Sequence, residues 1–323
     1  MGRRHAGNIY QRINGAHLAG VFDINEERAN TVAFACGNVP VFASGEDLIA
    51  NEIVDAVLIA TPDETHASIT LPCINKRKPV LCEKPLATAI TDASKVIDAE
   101  CAAQRRLVMV GFMRRFDSPH LALKKAIDRG EIGRPILFKG VHRNREAPSD
   151  FKRETLFYQS AIHDIDSMRW LMGGEVEEVT VRGAHVNPSV DANAKDIALI
   201  TMTLRGGGLA TIEAYVSAGY GYEVSAEVVG DAGTITTNQP DQVLKRTKGA
   251  RLVEVPEEWL ARFDLAYINE LNHWVKSLRE ETMVGANAWD GYTALLVADA
   301  CIQSLNSGQP VSISIPEKPD IYH

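Results

Sequence analysis

Three near-continuous apolar runs, at residues 54–60, 79–82 and 107–110, do most to limit what this chain can fold into. A strand with one wet face alternates apolar and polar residues, whereas a solid apolar run suits a strand covered on both faces. Residues 67–75 and 87–102 lie between the runs and carry helical spacing. Upstream, 17–22 reads as a strand and 26–36 as a helix. Strands that alternate with helices predict a parallel sheet, so the first third is an α/β layer of the nucleotide-binding type.

The pattern changes after Gly111. Helices are expected at 118–129 and 159–171, with an extended segment at 135–141. Residues 176–253 are mostly strand-like, with turns at 205–208, 230–233 and 248–249, which predicts a single antiparallel sheet. Two helices follow, near 257–279 and 289–307. A chain of 323 residues exceeds one ordinary domain. The expected division is a nucleotide-binding domain over 1–112 and an α+β domain over 113–323.

Bulk properties exclude several classes. Net charge is −8 and no basic block stands out, which argues against a nucleic-acid partner. Five scattered cysteines without a CxxC pair indicate neither a disulfide framework nor a zinc site, and fit reduced thiols in the cytoplasm. No apolar run approaches the ~20 residues of a membrane span. The first 17 residues lack the apolar core of a signal peptide. Ala6 stands where a myristoylation signal needs Ser or Thr.

Dinucleotide-binding folds open with a strand, G-x-G-x-x-G and a helix, and an acidic residue follows about 20 residues later. Here Gly2 fits the third glycine and Asp23 the acidic residue, but the first strand and two glycines are missing. On local residues alone, a basic N-terminus and a turn aspartate explain the segment equally well. We expect the natural gene product to extend upstream by about ten residues. If Asp23 meets the adenosine ribose, its carboxylate accepts both hydroxyls and repels a 2′-phosphate, which favours NAD over NADP.

Further motifs follow three of the strands: Ala60-Thr61-Pro62-Asp63-Glu64-Thr65-His66, Glu83-Lys84-Pro85, and Gly111-Phe112-Met113-Arg114-Arg115-Phe116-Asp117. Beyond them come His142-Arg143-Asn144, His163-Asp164-Ile165-Asp166, Gly221-Tyr222 and Ala266-Tyr267. Together they resemble the glucose–fructose oxidoreductase/inositol dehydrogenase family over almost the whole chain, most of all its bacterial inositol dehydrogenases.

The resemblance implies a Rossmann domain, a second domain with an open and largely antiparallel sheet, and homo-oligomers (dimer or tetramer) built through that sheet. It implies hydride transfer to NAD from a cyclic polyol or sugar. It assigns catalysis to Lys84 and His163, with Gln159 beside the histidine. The cofactor would contact Gly2, Arg3, Asp23, Thr61, Pro62, His66 and Glu83. The substrate would meet Met113, Arg114, Asn144, Tyr222 and Tyr267. Inositol dehydrogenases carry aspartate four residues before the histidine, and this chain has Gln159 there. That departure leaves room for a different sugar substrate, or for a non-catalytic NAD- or sugar-sensing protein on the same scaffold.

The chemistry is consistent with these roles. Oxidising a secondary alcohol needs a base within hydrogen-bond reach of the hydroxyl and a pKa near working pH. A lysine desolvated at the carboxyl end of a parallel strand acquires a lowered pKa. Histidine titrates nearest neutrality. Gln159 and His163 are spaced i,i+4 and share a helix face. The competing readings are a loop lysine and a core histidine. His163, Asp164 and Asp166 suggest a metal cluster by composition, but neighbouring helix residues point apart, so no metal is expected.

Overall fold

The computed structural model describes residues 1–148, 151–191, 193–237 and 244–323. Two compact units emerge. The first comprises Met1–Met113, Tyr267–Leu295 and Glu317–His323; the second comprises Arg114–Ala266 and Leu296–Pro316. This differs from a single cut at 112/113. Residues near the C-terminus return to the first unit because Ala286 and Asn287 pair with Val110 and Met109.

The first unit begins with helices α1 (Gly2–Arg12), α2 (Glu26–Ala35) and α3 (Gly45–Ala50). Strand β1 (Val57–Ile59), α4 (His66–Asn75), β2 (Val80–Glu83), α5 (Ile90–Ala103) and β3 (Val108–Gly111) follow. The three strands pair in parallel, in the order β1-β2-β3. Every residue of β2 and β3 is buried, as their apolar runs require. Each fully buried aliphatic side chain there contributes about 1.5–3 kcal/mol.

Residues 17–22 do not form the expected strand. Val21 makes one parallel bridge, to Val41. Gly20 lies so close to this neighbour that an added Cβ would come within 2.8 Å of the Pro40 carbonyl. Val21 donates to Pro40, and Phe42 donates back to Val21. Among the described residues no strand lengthens the bridge into a ladder.

The second unit holds α6 (Ser118–Asp128), β4 (Pro135–Arg143), a π-helical turn (Leu156–Ala161) and α7 (Ile162–Met172). Strands β5 (Val176–Ala184), β6 (Ile197–Leu204), β7 (Leu209–Tyr215), β8 (Glu223–Gly230) and β9 (Thr234–Thr236) come next. After β10 (Leu244–Thr247) and β11 (Ala250–Val253) come α8 (Trp259–Arg262) and α9 (Asp264–Glu280), most of which belongs to the first unit. The chain ends through β12 (Ala286–Asn287), α10 (Ala288–Ser307) and β13 (Val311–Ser312).

The seven-stranded sheet runs β13-β5-β6-β7-β4-β8-β9 and is antiparallel except between β4 and β7. The expected single sheet over 176–253 is corrected in one respect: β10 and β11 form their own ribbon, whose residues are almost all exposed. Residues 192 and 238–243 of that span lie outside the described residues.

A buried carboxylate ties the end of the chain to the first sheet. Glu100 accepts from the Val108 and Leu107 amides at the start of β3, and from the Tyr322 hydroxyl at 2.6 Å. Tyr322→Phe should destabilise the first unit by about 1–3 kcal/mol, because it strips a partner from a buried oxygen. Urea unfolding followed by tryptophan fluorescence measures this, and an unchanged midpoint would refute it.

Candidate active site

The ends of the parallel strands gather the candidate residues of the first unit. Ligands of parallel sheets bind there because successive loops fan out from one edge. Thr61 and Pro62 follow β1, and the Thr65 hydroxyl donates to the Pro62 carbonyl at 2.7 Å. His66 is buried, with Nδ1 2.7 Å from the Pro85 carbonyl and Nε2 3.0 Å from that of Thr61. It therefore clasps the loop after β1 to the loop after β2, at the first position of α4.

Helix α1 starts against the end of β1: a Cβ on Gly2 would stand 3.9 Å from Ala60. No side chain caps this helix start and no acidic residue occupies its first turn. Its first amides are thus available to an anion, and the helix dipole favours one. Arg3 is exposed beside them. Asp23 is exposed too, and accepts the Asn25 amide through Oδ1 at 2.8 Å. These features fit the pyrophosphate and ribose of a dinucleotide.

Glu83 and Lys84 close β2. Adjacent strand residues point to opposite faces. Glu83 turns inward and bonds His5 Nε2 of α1 at 2.7 Å. Burial would raise its carboxyl, but the His5 hydrogen bond and the positive charges of His5, Lys84 and the Met1 amino group outweigh that, and its pKa is lowered. Lys84 keeps part of its surface open. Desolvation of its ammonium lowers its pKa, against the opposing pull of Glu83 and Asp63. Tyr267, on α9, sets its ring edge-on to His5 at 5.7 Å between centroids. Met113, at the last position of the first unit's N-terminal stretch, is 2% exposed.

The second unit holds a buried charged cluster of its own. Phe138, Gly140 and His142 share the inward face of β4. An added Cβ on Gly140 would come within 2.9 Å of the Phe138 ring and 3.4 Å of Asp164 Oδ1, so glycine lets α7 approach the sheet. Arg114 donates to Asp164 Oδ1 at 2.6 Å and lies 3.0 Å from His142 Nδ1, which is 2.9 Å from Asp164 Oδ2. Tyr222 sets its hydroxyl 3.5 Å from His142 Nε2. Burial would raise the Asp164 carboxyl, but Arg114 and His142 hold it down to about 2. Burial pushes the Tyr222 hydroxyl up to about 12.

Arg114 and Tyr222, expected at the substrate, are buried here, as are Met113 and Tyr267. Arg114 is 1% exposed, with its terminal nitrogens committed to Asp164 and His142, and Tyr222 is 3% exposed. They build the wall behind α7. His163, next to Asp164, is buried, and its ring centroid lies 6.4 Å from that of His142. Asn144 donates to Ser160 Oγ at 3.2 Å and so holds the π-helical turn that carries Gln159. Gln159 is exposed. Below these residues, Arg115 grips Asp166 with two hydrogen bonds of 2.7 and 3.0 Å. Among the described residues no three His, Cys, Asp or Glu side chains stand together as a metal would require.

The sequence reading did not assign His5, His142 or the buried role of Asp164. His142 could have been found by counting in twos from Phe138 along an extended segment. No comparable signal marks His5.

Residues 1–112 match the family model described as "Oxidoreductase family, NAD-binding Rossmann fold", and residues 124–313 match its "C-terminal alpha/beta domain". The chain belongs to the GFO/IDH/MocA oxidoreductase family. It is 46% identical to an inositol 2-dehydrogenase of Rubrobacter xylanophilus over all of this chain and 93% of that protein. The crystal structure of a Lactobacillus casei myo-inositol dehydrogenase with NAD(H) and myo-inositol matches with a TM-score of 0.96 at 30% identity, covering 100% of this chain and 96% of that one. A scyllo-inositol dehydrogenase from the same species, solved with NAD(H) and scyllo-inositol, matches with a TM-score of 0.90 at 25% identity, over 96% of this chain and 95% of that one. This GFO/IDH/MocA member is an NAD-binding oxidoreductase.

The cluster around Asp164 sets a pH dependence. Its folded pKa, about 2, lies below the ordinary value of about 3.9, so it stabilises the fold above pH ~4 and loses that contribution as pH falls through about 2. Asp164→Asn should cost about 3–5 kcal/mol at neutral pH by leaving Arg114 buried without its charge partner. It should also flatten stability between pH ~4 and ~2. Urea melts across that range test both, and an unchanged acid limb would count against the assignment.

Proposed function

We propose that this enzyme oxidises one secondary hydroxyl of an inositol-like cyclic polyol to a ketone, with NAD as the acceptor. The observation that carries the reading is Lys84: a lysine at the carboxyl end of a parallel strand whose proton is loosened by desolvation. The inositol dehydrogenases similar to this chain support the substrate class.

A nicotinamide cofactor, when bound, would supply the hydride acceptor. Lys84 donates a hydrogen bond to the reacting oxygen and polarises it. His163 takes the hydroxyl proton, since imidazole accepts protons near neutral pH. The amides at the start of α1, with Arg3, hold the pyrophosphate, and Thr61 and Pro62 border the cofactor. Asp23 accepts the ribose hydroxyls and selects NAD over NADP. Asn144 positions the turn that carries Gln159. The enzyme works in the cytoplasm, consistent with five free cysteines. Copies associate through the open face of the seven-stranded sheet, where Leu199 and Leu209 are exposed.

Formation of NADH, followed by absorbance over a panel of inositols and aldoses, is the direct test. Activity should appear with NAD and an inositol and fall sharply with NADP. Lys84→Ala should abolish it without lowering the melting temperature. A folded Lys84→Ala variant with near-normal turnover would remove Lys84 from the chemistry.

Gln159 favours a second reading, in which the substrate is an aldose or related sugar. Glutamine can hydrogen-bond but supplies no charge to a protonated imidazole. Gln159→Asp should raise kcat/KM on inositols by up to ~10²-fold, the lower end of what acid–base assistance contributes. If activity falls on every polyol while aldoses turn over, the second reading replaces the first.

A further inference from the structure

His66, at the first position of α4, sets both ring nitrogens against carbonyl oxygens. Nδ1 lies 2.7 Å from the oxygen of Pro85 and Nε2 3.0 Å from that of Thr61. A carbonyl oxygen only accepts, so each contact needs a proton on the nitrogen, and a neutral imidazole carries one. In either neutral tautomer the bare nitrogen would turn its lone pair onto a carbonyl lone pair within hydrogen-bond distance. The side chain is 1% exposed, so solvent does not relieve that repulsion.

We propose that His66 holds a proton on each ring nitrogen in the folded enzyme and is a positioning residue for Lys84: the imidazolium keeps the Lys84-Pro85 turn at a set distance from the Thr61-Pro62 loop. The positioning half of this inference rests on the assignment of Lys84 above; the proton count does not. Pro85 is bonded to Lys84, so its carbonyl cannot shift without moving the backbone of the lysine. Thr61 begins the loop proposed to border the cofactor. One imidazolium thus couples the group that polarises the reacting oxygen to the loop beside the hydride acceptor.

The location does not favour a cation by itself, because the first turn of a helix lies at the positive end of its dipole. The two carbonyls are what hold the second proton. Around α4, β1 carries no titratable side chain, Glu83 at the end of β2 is held by His5, and Asp92 pairs with Lys95 on α5. Burial keeps Cys82, and Cys73 on α4 itself, as neutral thiols. Glu46 and Asp47 on α3 and Glu64 in the turn before α4 are exposed. Asp63 and Lys84 carry opposite charges and act on each other. Loss of either His66 proton opens one side of the clasp. Above pH ~6.5 the histidine of an unfolded chain is mostly neutral, so folding takes up a proton there and stability falls as pH rises.

Three measurements on the full-length protein test the proposal. Neutron diffraction at neutral pH should show a proton on both Nδ1 and Nε2 of His66. One bare nitrogen overturns the proposal, whatever Lys84 does. Thermal melts between pH ~6.5 and ~9 should lose more stability in wild type than in His66→Gln, whose carboxamide does not titrate. Parallel curves overturn the proton count in solution. Last, His66→Gln keeps a single donor group. It should bind NAD within about threefold of wild type by calorimetry, while its kcat falls about 10- to 10²-fold, the effect of a displaced reacting group. A folded variant with normal kcat refutes the positioning role, and so do equal losses in NAD affinity and kcat, which place the clasp on the cofactor loop alone. If Lys84→Ala turns over normally, the reading of Lys84 fails and the positioning role with it, while the diffraction result still decides the proton count.

Discussion

Arg114 and Asp164 meet with both side chains shut away from water, and the geometry of the second unit depends on that contact. The pair is not a simple source of stability. Desolvating two charges costs about as much as their attraction returns, whereas removing one partner strands the other. What the pair fixes is position. Asp164 sits on α7 beside His163, Arg114 follows Met113, and His142 projects from β4. Because all three must coincide for any one of them to tolerate burial, helix, strand and turn are locked in register. The two hydrogen bonds from Arg115 to Asp166 repeat the arrangement one step further along α7.

The first unit uses polar burial for another purpose. His66 joins two loops through their carbonyls, Glu83 draws on His5, and Glu100 collects two amides and a phenol. His66 and Glu100 thereby pair backbone groups that a loop or strand end cannot satisfy elsewhere, whereas Glu83 is held by a side chain. Lys84 differs in that its environment loosens a proton instead of securing it.

Much of this was legible in the sequence. Solid apolar runs marked β2 and β3 because strands covered on both faces need no polar side. Lys84 was recognisable because motif and strand end coincide there. The sequence reading went astray where partners decide the outcome. Residues 17–22 have strand-like composition, yet a strand exists only through its neighbours, and Val21 finds one bridge. Residues 286–287 are too short to announce themselves, and only their pairing with β3 returns the C-terminal segment to the first unit. Arg114 was placed at the substrate by the resemblance to the family alone. Nothing local says that an aspartate fifty positions later will cover it.

The π-helical turn ahead of α7 holds one residue more than an α-helical turn would. Removing one residue at 160 or 161 would restore α-helical winding and bring residue 158 to four positions before His163, while α7 kept its seat on Asp164 and Asp166. The side chain at 159 would then be exchanged for a neighbour with no substitution at all. Length variation in this turn is thus a route to changing which residue stands four positions before the histidine, independent of point mutation and without disturbing the core that holds the helix.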